Sequence, residues 1–560
     1  MAATRLPFDR RNLQTATQGG RRGTLAAFPK DLEAIARKKW YLRAYLDALP
    51  IEEIGVPAYA PELSRRLRGL ETRNLIYPVN GGLFIHIYPD PTDERDYYIP
   101  VEPSLVVDID DKLERVDAKL LDWAEEIGQA PARERRRVFL RSLDQICTTR
   151  PGSDNGRIHL TPIELRALKY RVLRDKLQLA SLQPLIADPY IEDISCSGIG
   201  NVFIEHKIFK SLKSSITFNS LDELDGFVVW LGERIKHPVT LRHPIVDAVL
   251  PDGSRINIVY GRDIAKRGSN FTIRKFSEEP LSILNLIEFG TMDYLMAAYL
   301  WLVIEDGSNV FVAGATASGK TTTLNGLTTF IPPESKIVSI EDTPELQMPQ
   351  ENWIREVVRE NSKSDRNASV GMFDLLKAAL RQRPERIMIG EIRGAEGNIA
   401  FQAMQTGHGV MSTFHAASVQ KLVQRITGEP INVPRPYVDN LDVVVIQAAV
   451  RGPDGQTVRR VTSINEIVSY NPTDRTFSFI TTFRWKPEDD TFDFPGDMNS
   501  YVLEEEIARR RGLPTGQRRT IYKELRRRAR ILERIHQRMG VSGFHDLFKV
   551  IAEGRKRGAI

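Results

Sequence analysis

The run Gly314-Ala-Thr-Ala-Ser-Gly319-Lys320-Thr321 does most to narrow the folds open to this chain. It spells the phosphate-loop pattern, which needs a fixed setting: a buried strand, a glycine-rich turn, then the first turn of a helix. Both flanks comply. Val310-Phe-Val-Ala313 is a short apolar, strand-like run, and Thr321-Thr322-Leu-Asn-Gly-Leu continues as a helix. Glycine lets successive backbone N–H groups curl about an anion, and the opening helix turns the positive end of its dipole toward the same charge. Gly314, Ala315, Thr316, Ala317, Ser318, Gly319, Lys320, Thr321 and Thr322 are therefore read as a cradle for the phosphates of a nucleoside triphosphate. Lys320 would reach the β- and γ-phosphates, and the Thr321 hydroxyl would hold Mg²⁺.

At 560 residues the chain exceeds what one hydrophobic core supports, so several domains are expected. Two cysteines, Cys147 and Cys196, are too few for a disulfide framework or a four-ligand zinc site, and they fit a reducing cytoplasm. The most apolar stretch, Tyr294 to Ile304, is far too short to span a bilayer, and the N-terminus has no signal-peptide pattern. A cytoplasmic protein, at most resting on a membrane, is the expectation.

The net charge of +5 conceals an asymmetry. Residues 509–560 carry 16 Lys/Arg against 4 Asp/Glu, a local +12, so the preceding 508 residues sum to −7. Two readings stand side by side: a solvated basic helical face, or a contact with an acidic partner such as anionic lipid headgroups or a protein. No recognition helix or aromatic stacking pattern supports nucleic acid.

Residues 1–30 hold six basic residues and one acidic among Gly, Thr and Ala, the composition of a mobile arm. Residues 31–159 mix helical periods with extended pieces such as Gly82–Tyr88 and form an accessory region without evident chemistry. Residues 160–277 read as an α+β domain: an amphipathic helix over Glu164–Ile186, strands near 191–196, 201–205 and 214–218, a helix over Leu221–Lys236, then strands over Ser254–Tyr260 and Asn270–Phe276. A linker over 278–290 follows. From 291 to 560, helices alternate with short β-branched strands at 309–313, 336–341, 386–391, 410–414 and 441–450. That alternation argues for an open α/β sheet with helices on both faces. A strand pair over 461–470 and 476–485 and a basic helical region close the unit.

Three further clusters fall at strand ends, where open α/β sheets bind ligands. Glu341-Asp342-Thr-Pro-Glu345 offers carboxylates to Mg²⁺ or to an attacking water. Arg386-Ile-Met-Ile-Gly-Glu391-Ile-Arg393 is an apolar strand delivering an acid beside a metal. His408 and His415 bracket another strand and are read as sensing or positioning groups. Phosphoryl transfer also needs cations at the γ-phosphate. Arg355, Arg359 and Arg393 offer them locally, and Arg255 and Arg274 offer them from the preceding domain.

In this order the phosphate loop, acidic box, Gly-Glu strand end and His box resemble the type II/IV secretion ATPase superfamily, over roughly 160–500. Met372–Pro384 looks like its archaeal branch. Gly394–Gly407, Pro430–Pro434, Tyr437–Leu441 and Asp497–Glu504 look like the archaellum motor ATPase. The four-cysteine zinc insert frequent in the bacterial assembly enzymes is absent.

The resemblance implies a RecA-like phosphate-loop domain preceded by an α+β N-terminal domain, with ATP and Mg²⁺ as cofactors. It makes Glu391 the acid of the Gly-Glu strand, Glu341 and Asp342 the acidic-box pair, and His408 and His415 the His-box pair. It makes Arg255 and Arg274 completing arginines across a subunit boundary. It also implies a homo-hexamer on the inner face of the membrane, working on a polytopic platform protein with other archaellum components, an ATP-binding regulator among them. An ATPase for pili or secretion without rotation is the alternative. A nucleic-acid translocase and a non-catalytic ATP-sensing scaffold are the rivals from other classes.

Overall fold

A computed structural model describes residues 3–9, 13, 28–63, 67, 70, 73–80, 82–150, 156–276, 279–359, 370–452, 455, 457–474 and 476–558. The basic arm over 1–30 lies mostly outside these residues. The chain forms two compact units, Met1–Ser277 and Glu278–Ile560.

The first unit is organised by one 11-stranded sheet. Its strands from the 160–277 segment, such as Lys210–Phe218, share this sheet with Tyr97–Val101, Leu83–Tyr88 and Leu75–Val79. The junction is a parallel pairing in which Lys213 lies opposite Tyr97. The boundary expected at 159/160 is therefore corrected: no break in the fold occurs there. A strand buried on most of its length cannot leave its edge unpaired, and Tyr97–Val101 covers the edge of Lys210–Phe218. The helix expected over Glu164–Ile186 packs against elements on the far side of the same boundary. It runs over Pro162–Leu177, opened by a reciprocal capping box between Thr161 and Glu164. Its Leu168 and Val172 pack with Val116 and Leu143 of the accessory helices. It stops at Gln178, and a separate short helix, Gln183–Ala187, restarts with Pro184 in its first turn, where proline is tolerated.

The second unit holds a nine-stranded sheet. Six strands run parallel in the order Trp353–Val357, Ile337–Glu341, Arg386–Glu391, Gly409–Phe414, Val310–Gly314, Val443–Arg451. Three antiparallel strands, Thr457–Asn471, Thr476–Lys486 and Thr491–Asp493, extend it. The strand from the His box lies between the phosphate-loop strand and the Gly-Glu strand, the RecA-like order. Val310 and Val312 face one core while Phe311 and Ala313 face the other, which explains the unbroken apolar run. Parallel strands with helical crossovers all end at one edge, and that edge collects Gly314, Glu341, Glu391, His415 and Gln447.

Residues 278–290, expected as a hinge linker, carry a helix at Ile283–Glu288 capped by Ser282, with Ile283, Leu284 and Leu286 buried in the core. This segment is thus part of the second unit; Ser277 and Glu278 lie outside the described residues. The apolar helix Tyr294–Glu305 is interior, and among the described residues no helix is long and apolar enough to cross a membrane.

The basic C-terminal region proves to be largely a packing partner. Arg528, 4% exposed, lies over the Trp301 ring and pairs with Glu305, which Arg511 and Arg555 also reach. Arg510 pairs with Asp306, Arg519 with Glu504 and Arg526 with Asp497. Much of the local +12 is therefore answered by carboxylates of the same unit, while Lys523, Arg530, Arg534 and Arg538 stay exposed along one helix, Ile521–Gln537, and its C-cap.

Candidate nucleotide site

The phosphate loop hangs between the strand Val310–Gly314 and the helix Lys320–Leu327. Two glycines are sterically required. A Cβ on Gly314 would stand 2.2 Å from the Gln447 carbonyl, and Gly319 caps the helix at φ +94°. Ala317 holds φ +60°, uncommon outside glycine, and its carbonyl accepts from Arg459 Nε at 3.0 Å. Lys320, 8% exposed, donates to the Ala315 carbonyl at 3.0 Å, and burial lowers its pKa. The Ser318 hydroxyl donates to the same carbonyl at 2.8 Å, so the turn is held in shape by its own side chains. Ala315 and Thr316 are exposed, while Thr321 and Thr322 are half-buried at the helix start.

Glu341 ends its strand with 1% of its surface exposed. Its Oε1 accepts from the backbone N–H of Glu345 at 2.7 Å and of Leu346 at 2.6 Å, so its own loop folds back onto it. Asn325 of the phosphate-loop helix ties that loop down, donating to the Glu345 carbonyl and accepting from Gln347 N–H. The other oxygen, Oε2, is buried without a hydrogen bond and faces Arg355 Nε at 3.5 Å. Burial pushes the Glu341 carboxyl up to about 7, the range in which a carboxylate can take a proton near neutrality. Asp342 is exposed.

Glu391 is aimed by a bulge. Ile389 lies opposite Ser412 and Glu391 opposite Thr413, so Gly390 is the extra residue that re-aims the side chain after it. A Cβ on Gly390 would rest in contact with Glu341, 3.4 Å from its Cγ, so the two strand ends lie side by side. Arg393 pairs with Glu391 and approaches Asp342 at 3.9 Å, bridging two strand ends. His415 Nε2 stands 3.0 Å from Glu391 Oε1, and burial lowers the imidazole pKa while Glu391 opposes that shift. Arg425 donates to the His415 carbonyl.

His408 is not part of this cluster. It precedes the strand Gly409–Phe414 and so lies at the opposite edge of the sheet, against the Thr406 hydroxyl at 3.0 Å. Six strand residues at ~3.3 Å each separate the two histidines. The pairing of His408 with His415 as joint site residues is corrected accordingly. Arg255 and Arg274 belong to the first unit. They lie directly opposite one another on adjacent strands, both exposed, with Asp247 3.9 Å from Arg255.

Sequence reading missed Gln447 and Arg459. The Gln447 carbonyl packs on Gly314 and its side chain accepts from the Thr323 hydroxyl at 2.7 Å. A lone amide in the run Val443-Val-Val-Ile-Gln447-Ala-Ala was the available signal. Oxygen donors alone, Thr321, Asp342 and Glu391, are on offer to a metal ion, which suits Mg²⁺. Among the described residues no group of three or more His, Cys, Asp or Glu could enclose an ion, so phosphates and water would complete its shell.

The profile of the type II/IV secretion system protein family matches residues 175–473. An uncharacterised protein of Methanocaldococcus jannaschii is 43% identical over 518 residues, 90% of this chain and 93% of that one. The type IV secretion system protein VirB11 of Bartonella henselae is 31% identical over 242 residues, 37% of this chain and 67% of its own. Among solved structures, the Legionella pneumophila ATPase DotB is 18% identical with a TM-score of 0.38, covering 69% of this chain and 96% of that one. The chain belongs to the type II/IV secretion system protein family. The match draws on both units, from residue 175 in the first to residue 473 in the second.

Proposed function

We propose that this chain hydrolyses ATP to ADP and phosphate as the motor subunit of a ring, a homo-hexamer by resemblance, that powers assembly and rotation of the archaellum through a membrane platform protein. The observation that carries the chemistry is the convergence of Gly314–Thr321, Glu341, Glu391 and His415 at one sheet edge.

In this reading the loop N–H groups and Lys320 hold the β- and γ-phosphates. Bound Mg²⁺, held by the Thr321 hydroxyl with Asp342 and Glu391, would neutralise charge developing on the phosphate oxygens. Glu341, kept near neutrality by burial, takes the proton of the attacking water. Its Oε1 is fixed by two backbone donors, so Oε2 is the oxygen left to act. His415 orients Glu391, and Arg393 keeps Glu391 and Asp342 apart from solvent ions until nucleotide arrives. Arg255 and Arg274, adjacent on an exposed sheet face, complete the site from a neighbouring subunit. The protein then works at the inner face of the cell membrane alongside other archaellum components, including an ATP-binding regulator.

A second reading, an ATPase for pilus assembly or secretion without rotation, is favoured by the similarity to VirB11. Deleting the gene in its host separates the two. Non-motile cells that keep adhesive pili support the motor, whereas normal swimming overturns it. Strong stimulation of turnover by DNA or RNA would instead favour a translocase.

A further inference from the structure

The arginines near the phosphate-loop edge are mostly engaged. Arg393 is held by Glu391 and Asp342, Arg355 faces Glu341, and Arg425 donates to the His415 carbonyl. Arg460 is fixed by both oxygens of Asp490. Its neighbour Arg459 differs. From the antiparallel strand Thr457–Asn471 it crosses to the loop, where Nε donates to Ala317 O at 3.0 Å, and among the described residues it has no carboxylate partner. Its Cδ would lie 3.2 Å from a Cβ on Gly319, so the side chain lies along the rim of the loop. A guanidinium has five N–H donors in a planar fork. Here one of them shapes the loop, and Nη1 and Nη2 have no partner among the described residues.

The geometry points to Arg459 as a further nucleotide-binding residue, contributed by the same chain, that contacts the polyphosphate of a nucleoside di- or triphosphate. The inference rests on the nucleotide reading above and adds a ligand contact that no motif encodes. The four remaining N–H groups on this planar cation suit phosphate oxygens, which arginine binds in bidentate fashion. Anchoring by Ala317 reduces the side-chain freedom that a phosphate contact would otherwise have to remove.

The test measures dissociation constants for ATP, ADP and AMP on the full chain, by competition with a fluorescent nucleotide, in wild type, R459A, R459Q and K320A. R459A should weaken ATP and ADP about tenfold, the size of one charge-assisted contact, and leave AMP within twofold. R459Q, which keeps an N–H donor but no charge, should remain weak. Rising salt should narrow the gap to wild type. Wild-type affinity in R459Q would show that the residue only clamps Ala317, and an equal loss for AMP would show a contact with the base or a collapsed loop. Either result overturns the inference, as does unchanged ATP and ADP binding in R459A. If K320A also binds normally, the nucleotide reading itself fails, a separate outcome.

Discussion

The two ends of the parallel sheet carry similar polar residues and treat them in opposite ways. At the end where the strands begin, Arg386 donates to the carbonyls of Ser308 and Ile304. Asn309 donates to Asp442 and to the Asn440 carbonyl while accepting from Val410 N–H. These groups tie strands together. At the end where the strands finish, Glu341 Oε2 and Glu391 Oε1 face cationic or titratable side chains instead, Arg355 Nε at 3.5 Å and His415 Nε2 at 3.0 Å. Such pairs between charged side chains can be redistributed when a charged ligand binds, whereas ties to backbone carbonyls cannot. Ties to backbone groups predominate at the first end, and pairs between charged side chains at the second.

The widest expected difference comes from Lys320→Ala, which should abolish ATP turnover with the melting temperature nearly unchanged. Turnover by that variant at the wild-type rate would remove the site assignment. Glu341→Gln should lower kcat by roughly 10²–10⁴-fold while nucleotide still binds, as steady-state turnover and equilibrium binding would show. Arg386→Met addresses the opposite end. It takes away the donor to the buried Ser308 carbonyl, while Ile304 O keeps the Gly307 N–H, and should cost about 1–3 kcal/mol in unfolding experiments, with KM for ATP unmoved. A larger effect of Arg386→Met on KM than on stability would erase the contrast between the ends.

The pH profile gives a finer distinction. Glu341 acts as a base only when ionised, and burial raises its pKa to about 7. Turnover should therefore climb about tenfold per pH unit up to about 7 and level off above it, and Glu341→Gln should lack this limb. His408→Ala should change turnover less than twofold, because His408 stands at the scaffold end, whereas His415→Ala should change it more.

What the sequence made legible follows the range of the interactions involved. The phosphate loop, the Gly-Glu strand and the parallel arrangement were readable because each is encoded within a few consecutive residues. Trp353–Val357 escaped notice because an edge strand is only half-buried and shows no apolar run. The continuity of the first unit's sheet depends on Tyr97–Val101 meeting Lys210–Phe218, a pairing across distant segments that leaves no local trace. Arg459 acts 142 residues from Ala317, and its role exists only once the sheet has formed. His408 was misjudged for a related reason: bracketing a strand places two residues at opposite ends of it. The +12 segment left a solvated face and an acidic partner equally open because its own acidic counterparts lie up to 250 residues away.

That last arrangement bears on how the chain is made. Met296–Ile304 is wholly interior, and it is covered by the helix Ile521–Gln537, whose Arg528 stacks on Trp301 and pairs with Glu305. Roughly 200 residues must leave the ribosome between the two, about 10–40 s at ordinary elongation rates. During that interval a greasy helix beside the future phosphate loop waits uncovered. The growing chain is then a natural client for chaperones, and the arginine-rich helix acts as the late closing piece of the nascent protein.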